Sequence, residues 1–344
     1  MIRLLLVTTS ADLAERTFAA LRADTSMSLV GVARDGEQAL AMSVDFQPEV
    51  VAVELGLAGG DSVDTIREIM IASPRPVVVI AGQESGGAGG TSERALEAGA
   101  LAVIAAPLPD DGPSMSKFLS TIRAMAQVMV VRQRRRERRA EIVTGVPGGA
   151  APRLASVVGI AASTGGPAAL RSILAALPAD FPAPILVVQH MSDGFIEGVA
   201  ARLDATVPLS VRVAVDGERL RPGFVYLAPD GRQLGLSGKT RIRVTDDAPV
   251  DAFRPSATHL FRAIADCFRE EALAVVLTGM GDDGIAGLAD IRRRGGRIIA
   301  QDENTSAVFG MPKAAILAGL VDDVLPLEAI ADKLVALTNK SDQG

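Results

Sequence analysis

The chain has 344 residues, of which 48% are hydrophobic and 22% charged, with a formal net charge of −6 and a pI near 5.2. That length and balance predict two globular domains and exclude a disordered chain, while the acidic balance and an aromatic content of 3% give no electrostatic or stacking case for binding nucleic acid or an anionic membrane. The single cysteine, Cys267, excludes an internal disulfide; the apolar run Met1–Val7 is too short for a signal peptide and no later run spans a bilayer, so the expectation is a soluble cytoplasmic protein without membrane insertion.

From the N-terminus, strand-like runs at Ile2–Val7, Leu29–Ala33, Val50–Glu54, Val77–Ala81 and Ala102–Ala105 alternate with helical patterns. These helices are expected at Asp12–Leu21, Gly36–Phe46, Ser62–Ala72, Ser92–Ala98 and from Ser114 onward. Five such units predict a doubly wound parallel α/β sheet over residues 1–130. The last helical pattern runs into Arg132-Gln133-Arg134-Arg135-Arg136-Glu137-Arg138-Arg139 and then into a Gly- and Pro-rich stretch ending at Pro152. The arginine run invites a nucleic-acid reading. With no aromatic residues and no second basic patch beside it, a solvated helix end entering an interdomain linker over 131–153 is the better one.

A second alternating α/β pattern covers 154–340, and it places three chemical groups alike. Ser163 directly follows the apolar run Val157–Ala162, His190 directly follows Ile185–Gln189, and Asp283 comes a few residues after Leu273–Leu277. In an open parallel sheet the carboxyl ends of the strands share one edge, where ligands bind. A hydroxyl, an imidazole and a carboxylate at that edge are a nucleophile, its general base and the group that orients the base. The pattern reads as a serine hydrolase, with neither cofactor nor metal expected.

Each group has a plainer reading. Ser163 begins Ser163-Thr164-Gly165-Gly166-Pro167, ahead of a helical pattern at Ala168–Leu177; it can be an ordinary helix cap, or the turn can present backbone N–H groups to a developing oxyanion. No phosphate-loop spacing occurs there or at Gly238-Lys239-Thr240. His190 can be a strand-end histidine bonded to backbone. His259, the other histidine, lies in a helical stretch, Ser256–Cys267, and reads as structural or surface; Cys267 reads as a small buried hydrophobe. Gly279-Met280-Gly281-Asp282-Asp283-Gly284 matches a dinucleotide-binding turn and is followed by a helical pattern, Ile285–Arg294, and a strand, Arg297–Gln301, that ends beside Asp302. Two carboxylates beside a pyrophosphate would repel it, which favours the hydrolase.

These stretches resemble the chemotaxis-type protein-glutamate methylesterase family (CheB). The resemblance is carried by Gly159–Pro167, Val188–Met191, Tyr226–Pro229, Arg254-Pro255-Ser256, Leu277–Gly284, Gln301–Glu303 and Phe309–Ala315. It implies a receiver-like domain of flavodoxin-like (βα)5 type, then a doubly wound, mostly parallel α/β hydrolytic domain. It also implies that Ser163 is the nucleophile, His190 the base and Asp283, rather than Asp282, its partner. Thr164, Gly165 and Met280 are candidates for oxyanion or substrate contacts, with backbone N–H groups near Thr164 and Met280 as the candidate oxyanion donors. The implied reaction removes methyl groups from glutamate esters on the cytoplasmic helices of methyl-accepting chemoreceptors, and deamidates receptor glutamine by the same chemistry. Thr258, His259 and Ser192 depart from the family's usual residues.

The N-terminal half resembles the family's receiver domain only as a scaffold. Where a working receiver carries an acidic pair, an acceptor aspartate, a Ser/Thr and a lysine, this chain has Thr8 and Thr9, Glu54, Ala81 and Ala106. Without those groups neither Mg²⁺ nor a phosphoryl group has an evident site, so a pseudo-receiver is expected. A chemotaxis histidine kinase or another regulator is the candidate partner of that domain, and a catalytically idle receptor-binding scaffold is the rival to the hydrolase.

Overall fold

The computed structural model describes residues 1–24, 26–57, 61–82, 89–109, 111–126, 154–191 and 193–338. It divides into two compact units, Met1–Arg135 and Arg136–Gly344. The expected arginine-rich linker, 131–153, lies outside the described residues, as does Ser192.

In the first unit β1 (Ile2–Val7), β2 (Met27–Ala33), β3 (Val50–Glu54), β4 (Val77–Ala81) and β5 (Ala102–Ala105) form one sheet in the order β2-β1-β3-β4-β5, every pairing parallel. That is the flavodoxin-like order. Each strand is apolar because helices cover both faces of such a sheet, and β4 is buried along its whole length. The helices are α1 (Ala11–Ala23), α2 (Gly36–Phe46), α3 (Ser62–Ala72), α4 (Gly89–Glu97) and α5 (Gly112–Met125). Ser10, Asp35 and Asp61 cap the first three, each side chain accepting a hydrogen bond from the opening turn. The chain expected to be helical over Ser92–Ala98 starts its helix three residues earlier and ends it at Glu97, where Gly99 takes a positive φ of 114° and stops it.

The second unit is built on β6 (Val157–Ala162), β7 (Ile185–Gln189), β8 (Ser210–Val213), β9 (Phe224–Leu227), β12 (Ala272–Val276), β13 (Arg297–Gln301) and β14 (Asp323–Leu325). They form a parallel sheet ordered β14-β13-β12-β6-β7-β9-β8. An antiparallel hairpin, β10 (Gln233–Ser237) and β11 (Arg241–Thr245), stands apart from it. Alternate residues of each strand enter one of two apolar layers. Val158 and Ile160 face α6 (Gly166–Ala176), α7 (Ile196–Thr206) and α11 (Leu327–Thr338), whereas Val157 and Ala161 face α8 (Ala257–Phe268), α9 (Ile285–Arg293), α10 (Met311–Leu317) and the hairpin.

From β6 the chain moves outward to β7 and later returns to pair β12 on the other side of β6. The order of strands therefore reverses at β6. This is a topological switch point, and the crevice at the carboxyl ends of β12, β6 and β7 is where an open α/β sheet binds ligands.

Candidate active site

Register brings three strand ends to that crevice. Ala162 pairs with Gln189 and Ala161 with Val276, so Ser163, His190 and Thr278 emerge side by side. Ser163 is tied toward β12 by its own N–H, which donates to the Thr278 carbonyl at 3.0 Å. The turn into α6 needs Gly165, whose φ is 77°, and Pro167 fits the first helical turn, so the helix begins at Gly166, two residues ahead of the expected start. Gly279 must also lack a side chain, since a Cβ there would sit 2.8 Å from the Ser163 Cβ and 2.5 Å from the Met311 sulfur. Thr164, Gly165 and Met280, the residues expected to supply oxyanion donors, thus flank Ser163: Thr164 is buried and Met280 is 41% exposed.

His190 continues from β7 with its N–H bonded to the Ala162 carbonyl at 2.8 Å, and its ring stacks on Phe253 with centroids 4.7 Å apart. Its Nε2 lies 3.0 Å from Oδ2 of Asp283. The carboxylate is only 6% exposed and is cradled by the start of α8. Oδ1 accepts from the Ser256 hydroxyl at 2.9 Å and the Thr258 N–H at 3.1 Å, and Oδ2 accepts from the Ala257 N–H at 2.7 Å. A helix N-terminus offers unpaired N–H groups and the positive end of its dipole, which suits an anion. Burial pushes the Asp283 carboxyl up, but the His190 imidazole beside it and the N–H groups of Ala257 and Thr258 outweigh burial and hold it below its ordinary value. Asp282 next to it is exposed and makes no such contacts. With Nε2 facing Asp283, Nδ1 is the ring nitrogen turned away from that carboxylate.

Four supporting residues escaped the sequence reading. Gln189 ends β7 with a buried carboxamide, and Thr278 donates to the Thr164 carbonyl at 2.9 Å while accepting from the Val308 N–H at 2.9 Å. Thr258, noted only as a departure from the family, accepts from the Gly284 N–H at 2.9 Å and so closes the loop around Asp283. Gln233, fully buried at the start of β10, accepts from the Ser256 N–H at 2.9 Å and donates to the carbonyls of Ala248 and Phe253 at 3.2 Å each. The available signals were a polar residue closing an all-apolar strand and a serine immediately ahead of a helix.

The remaining sequence candidates lie elsewhere. His259 sits half-buried on α8 with its ring against Gly235 of the hairpin, and burial lowers its pKa. Cys267 is half-buried rather than fully enclosed, packed against the layer that holds Ala265 and Phe268 of α8, and burial raises its thiol pKa. Asp302, the carboxylate a dinucleotide reading requires, accepts from both the N–H and the hydroxyl of Thr305, at 3.0 and 2.6 Å. Among the described residues no group of three or more His, Cys, Asp or Glu side chains could hold a metal ion, and no helix is long and apolar enough to cross a membrane.

At the carboxyl edge of the first unit, the Thr8 hydroxyl donates to Oε2 of Glu54 and accepts from the Ser10 N–H at 3.0 Å. Arg34 reaches the carbonyls of Thr8 and Thr9 at 3.4 Å each. Glu54 is thus held by a neutral hydroxyl, and Ala81, at the end of the neighbouring strand β4, accepts a backbone hydrogen bond of 2.9 Å from Ala106, just past β5.

A family model described as CheB methylesterase matches residues 158–334. The protein-glutamate methylesterase/protein-glutamine glutaminase of the group 3 operon of Rhizobium meliloti (strain 1021) is 55% identical over 341 residues, covering 98% of this chain and 96% of its own. Protein-glutamate methylesterase/protein-glutamine glutaminase 4 of Myxococcus xanthus (strain DK1622) is 44% identical, over 92% of this chain and 91% of its own. The crystal structure of the Thermotoga maritima CheB methylesterase catalytic domain matches with a TM-score of 0.52 and 42% identity, over 53% of this chain and 98% of that domain. Relatives this similar along both units, and a solved catalytic domain that matches the second, place the chain in the CheB methylesterase family.

Proposed function

We propose that this chain is a protein-glutamate methylesterase and protein-glutamine glutaminase acting on chemoreceptors, with Ser163 as nucleophile, His190 as general base and Asp283 as its orienting carboxylate. The observation that carries the residue assignment is the contact between Asp283 and His190 Nε2, fixed from behind by the N-terminus of α8. Nδ1 of His190 takes the proton as the Ser163 oxygen attacks the γ-carbonyl of a methylated glutamate. The electron pair moves onto the carbonyl oxygen, where backbone N–H groups of the Ser163–Gly165 turn and of Met280 stabilise it. The same nitrogen returns the proton to the departing methoxide, so methanol leaves and an acyl-serine remains. Water, deprotonated by His190, then cleaves that ester and releases glutamate. With glutamine the leaving group is ammonia.

The first unit supports a receiver that no longer signals by phosphate. The place of the acceptor holds Glu54, engaged by Thr8, and Thr8, Thr9, Ala81 and Ala106 stand where an acidic pair, a hydroxyl and a lysine would be needed. Esterase activity independent of Mg²⁺ and of phosphodonors follows.

The test is methanol release from a methylated chemoreceptor cytoplasmic fragment, with Ser163→Ala as control. A fluorophosphonate that labels the wild-type chain but not Ser163→Ala identifies the nucleophile. Equal labelling of both would refute the assignment, and labelling without methanol release would leave a serine hydrolase of another substrate.

A further inference from the structure

We infer that Gln189 is a positioning residue that sets the nucleophile and the base against each other. This rests on Ser163 and His190 having the roles given above. Gln189 closes β7 after four apolar residues and is 3% exposed. Its Nε2 lies 2.8 Å from the Ser163 carbonyl and 2.9 Å from the His190 carbonyl. Both neighbours can only accept, so the atom between them must be the amide nitrogen, which fixes the carboxamide's orientation. Its Oε1 is buried and has no hydrogen-bond partner among the described residues. An orphaned buried acceptor is costly, and a leucine or methionine would fill the same space without it. Packing alone therefore does not account for a carboxamide there, whereas its two donated bonds do.

The need for those bonds follows from the end of the ladder. Among the described residues the last backbone hydrogen bond joining the ends of β6 and β7 runs from the His190 N–H to the Ala162 carbonyl. Ser163 directs its own N–H away from β7, to Thr278 on the β12 side. The Gln189 amide extends the ladder by one residue through a side chain. It fastens the carbonyl of the nucleophile to the carbonyl of the base, so the spacing of the two residues depends on it. Gly166 makes room for this: a Cβ there would stand 2.0 Å from Oε1 and 2.9 Å from Cδ of Gln189. Gly166 opens α6 without a positive φ, so alanine suits its backbone and would act by pressing its methyl on the Gln189 amide and on the Ala162 side chain, 2.9 Å away.

The experiment compares Gln189→Leu, Gln189→Glu and Gly166→Ala with the wild type. It uses fluorophosphonate labelling rates and steady-state methanol release from methylated chemoreceptor fragment, normalised to folded protein by circular dichroism. We expect the labelling rate and kcat to fall together by about 10- to 100-fold in each variant, with KM within about twofold, because misplacing reacting groups by a fraction of an ångström costs that much. Gly166→Ala combined with Gln189→Leu should be no slower than the slower single variant, since both remove one arrangement. In Gln189→Glu a carboxyl buried between two carbonyls has a raised pKa, and only its protonated form donates. The activity of that variant relative to wild type should therefore rise as pH is lowered, which a loss of stability alone would not produce. Wild-type labelling and kcat in the folded variants, or losses that multiply in the double variant, would overturn the positioning role while leaving the esterase reading intact. A wild type that the probe does not label overturns the esterase reading, and the positioning role falls with it.

Discussion

Replacing Asp283 by asparagine keeps the shape of the orienting group and removes its charge. Three hydrogen bonds and one imidazole surround the two carboxylate oxygens: the Ser256 hydroxyl and Thr258 N–H donate to Oδ1, the Ala257 N–H donates to Oδ2, and His190 Nε2 lies 3.0 Å from Oδ2. An asparagine must turn its NH₂ toward one pair. Facing Ser256 and Thr258, it meets a hydroxyl that can accept and only one opposing N–H, so this orientation is preferred. His190 then keeps its tautomer but loses the anion that stabilises its protonated form. At a charge separation of ~4 Å and an effective dielectric constant of ~20, that is about 4 kcal/mol, or a kcat about 10³-fold lower. In the other orientation the NH₂ faces His190 Nε2 and drives the ring proton onto Nδ1, the nitrogen needed as base, and the loss approaches about 10⁴-fold. The assay is methanol release at saturating substrate, with Asp282→Asn as the matched control. If Asp283→Asn retained more than about a tenth of the rate, or Asp282→Asn proved the slower of the two, the assigned geometry would be wrong.

Ser163→Ala and His190→Ala should each abolish nearly all turnover, and the double variant should be little slower than either, as burst and steady-state kinetics would show. Gly279→Ala drives a methyl group against Ser163 and Met311, so kcat and the melting temperature should both fall; an unchanged kcat would show that the contact is not needed. The Asp283 carboxyl has a folded pKa below its unfolded value, so its stabilising contribution is complete above about pH 4 and is lost as pH falls through the lower folded value. The gap in melting temperature between wild type and Asp283→Asn should accordingly narrow on acidification below about pH 4. Labelled phosphate from the cognate histidine kinase should not transfer to the chain, nor should Mg²⁺ with acetyl phosphate raise its esterase rate; either event would refute the pseudo-receiver.

Much of the fold was legible because parallel strands buried on both faces are written as uninterrupted apolar runs. Ile2–Val7, Val50–Glu54, Val157–Ala162, Ile185–Gln189 and Arg297–Gln301 have the bounds that their sequences imply. The short strands β8, β9 and β14 and the hairpin were not readable. β8 has four residues with Arg212 among them, β11 carries arginines at alternate positions, and β14 has only three residues, too few to show a period. The candidate site was legible where chemistry comes from rare residues, since two histidines leave little choice of base. Its supports were not, because Gln189, Gln233 and Thr278 are common polar residues whose roles arise from partners 20 or more positions away, or from carbonyls that any residue can offer. Asp282 and Asp283 differ only by which of them meets the start of α8, a distinction of tertiary packing.

Gln233 gives the β10–β11 hairpin a hold on Asp283 and His190. Its carboxamide fastens Phe253, on which His190 stacks, and the backbone of Ser256, whose hydroxyl bonds to Asp283. The hairpin belongs to no larger sheet and keeps its place by laying Leu234, Leu236, Ile242 and Val244 into the layer shared with α8. A two-stranded ribbon of that kind opens locally at a lower free energy than a seven-stranded sheet. Each opening would release the seat of the imidazole and the cap of its carboxylate while the nucleophile stayed in place on β6. Heating should therefore silence the enzyme some degrees before it melts, and the amide protons of β10 should exchange with solvent at a rate that keeps time with that loss.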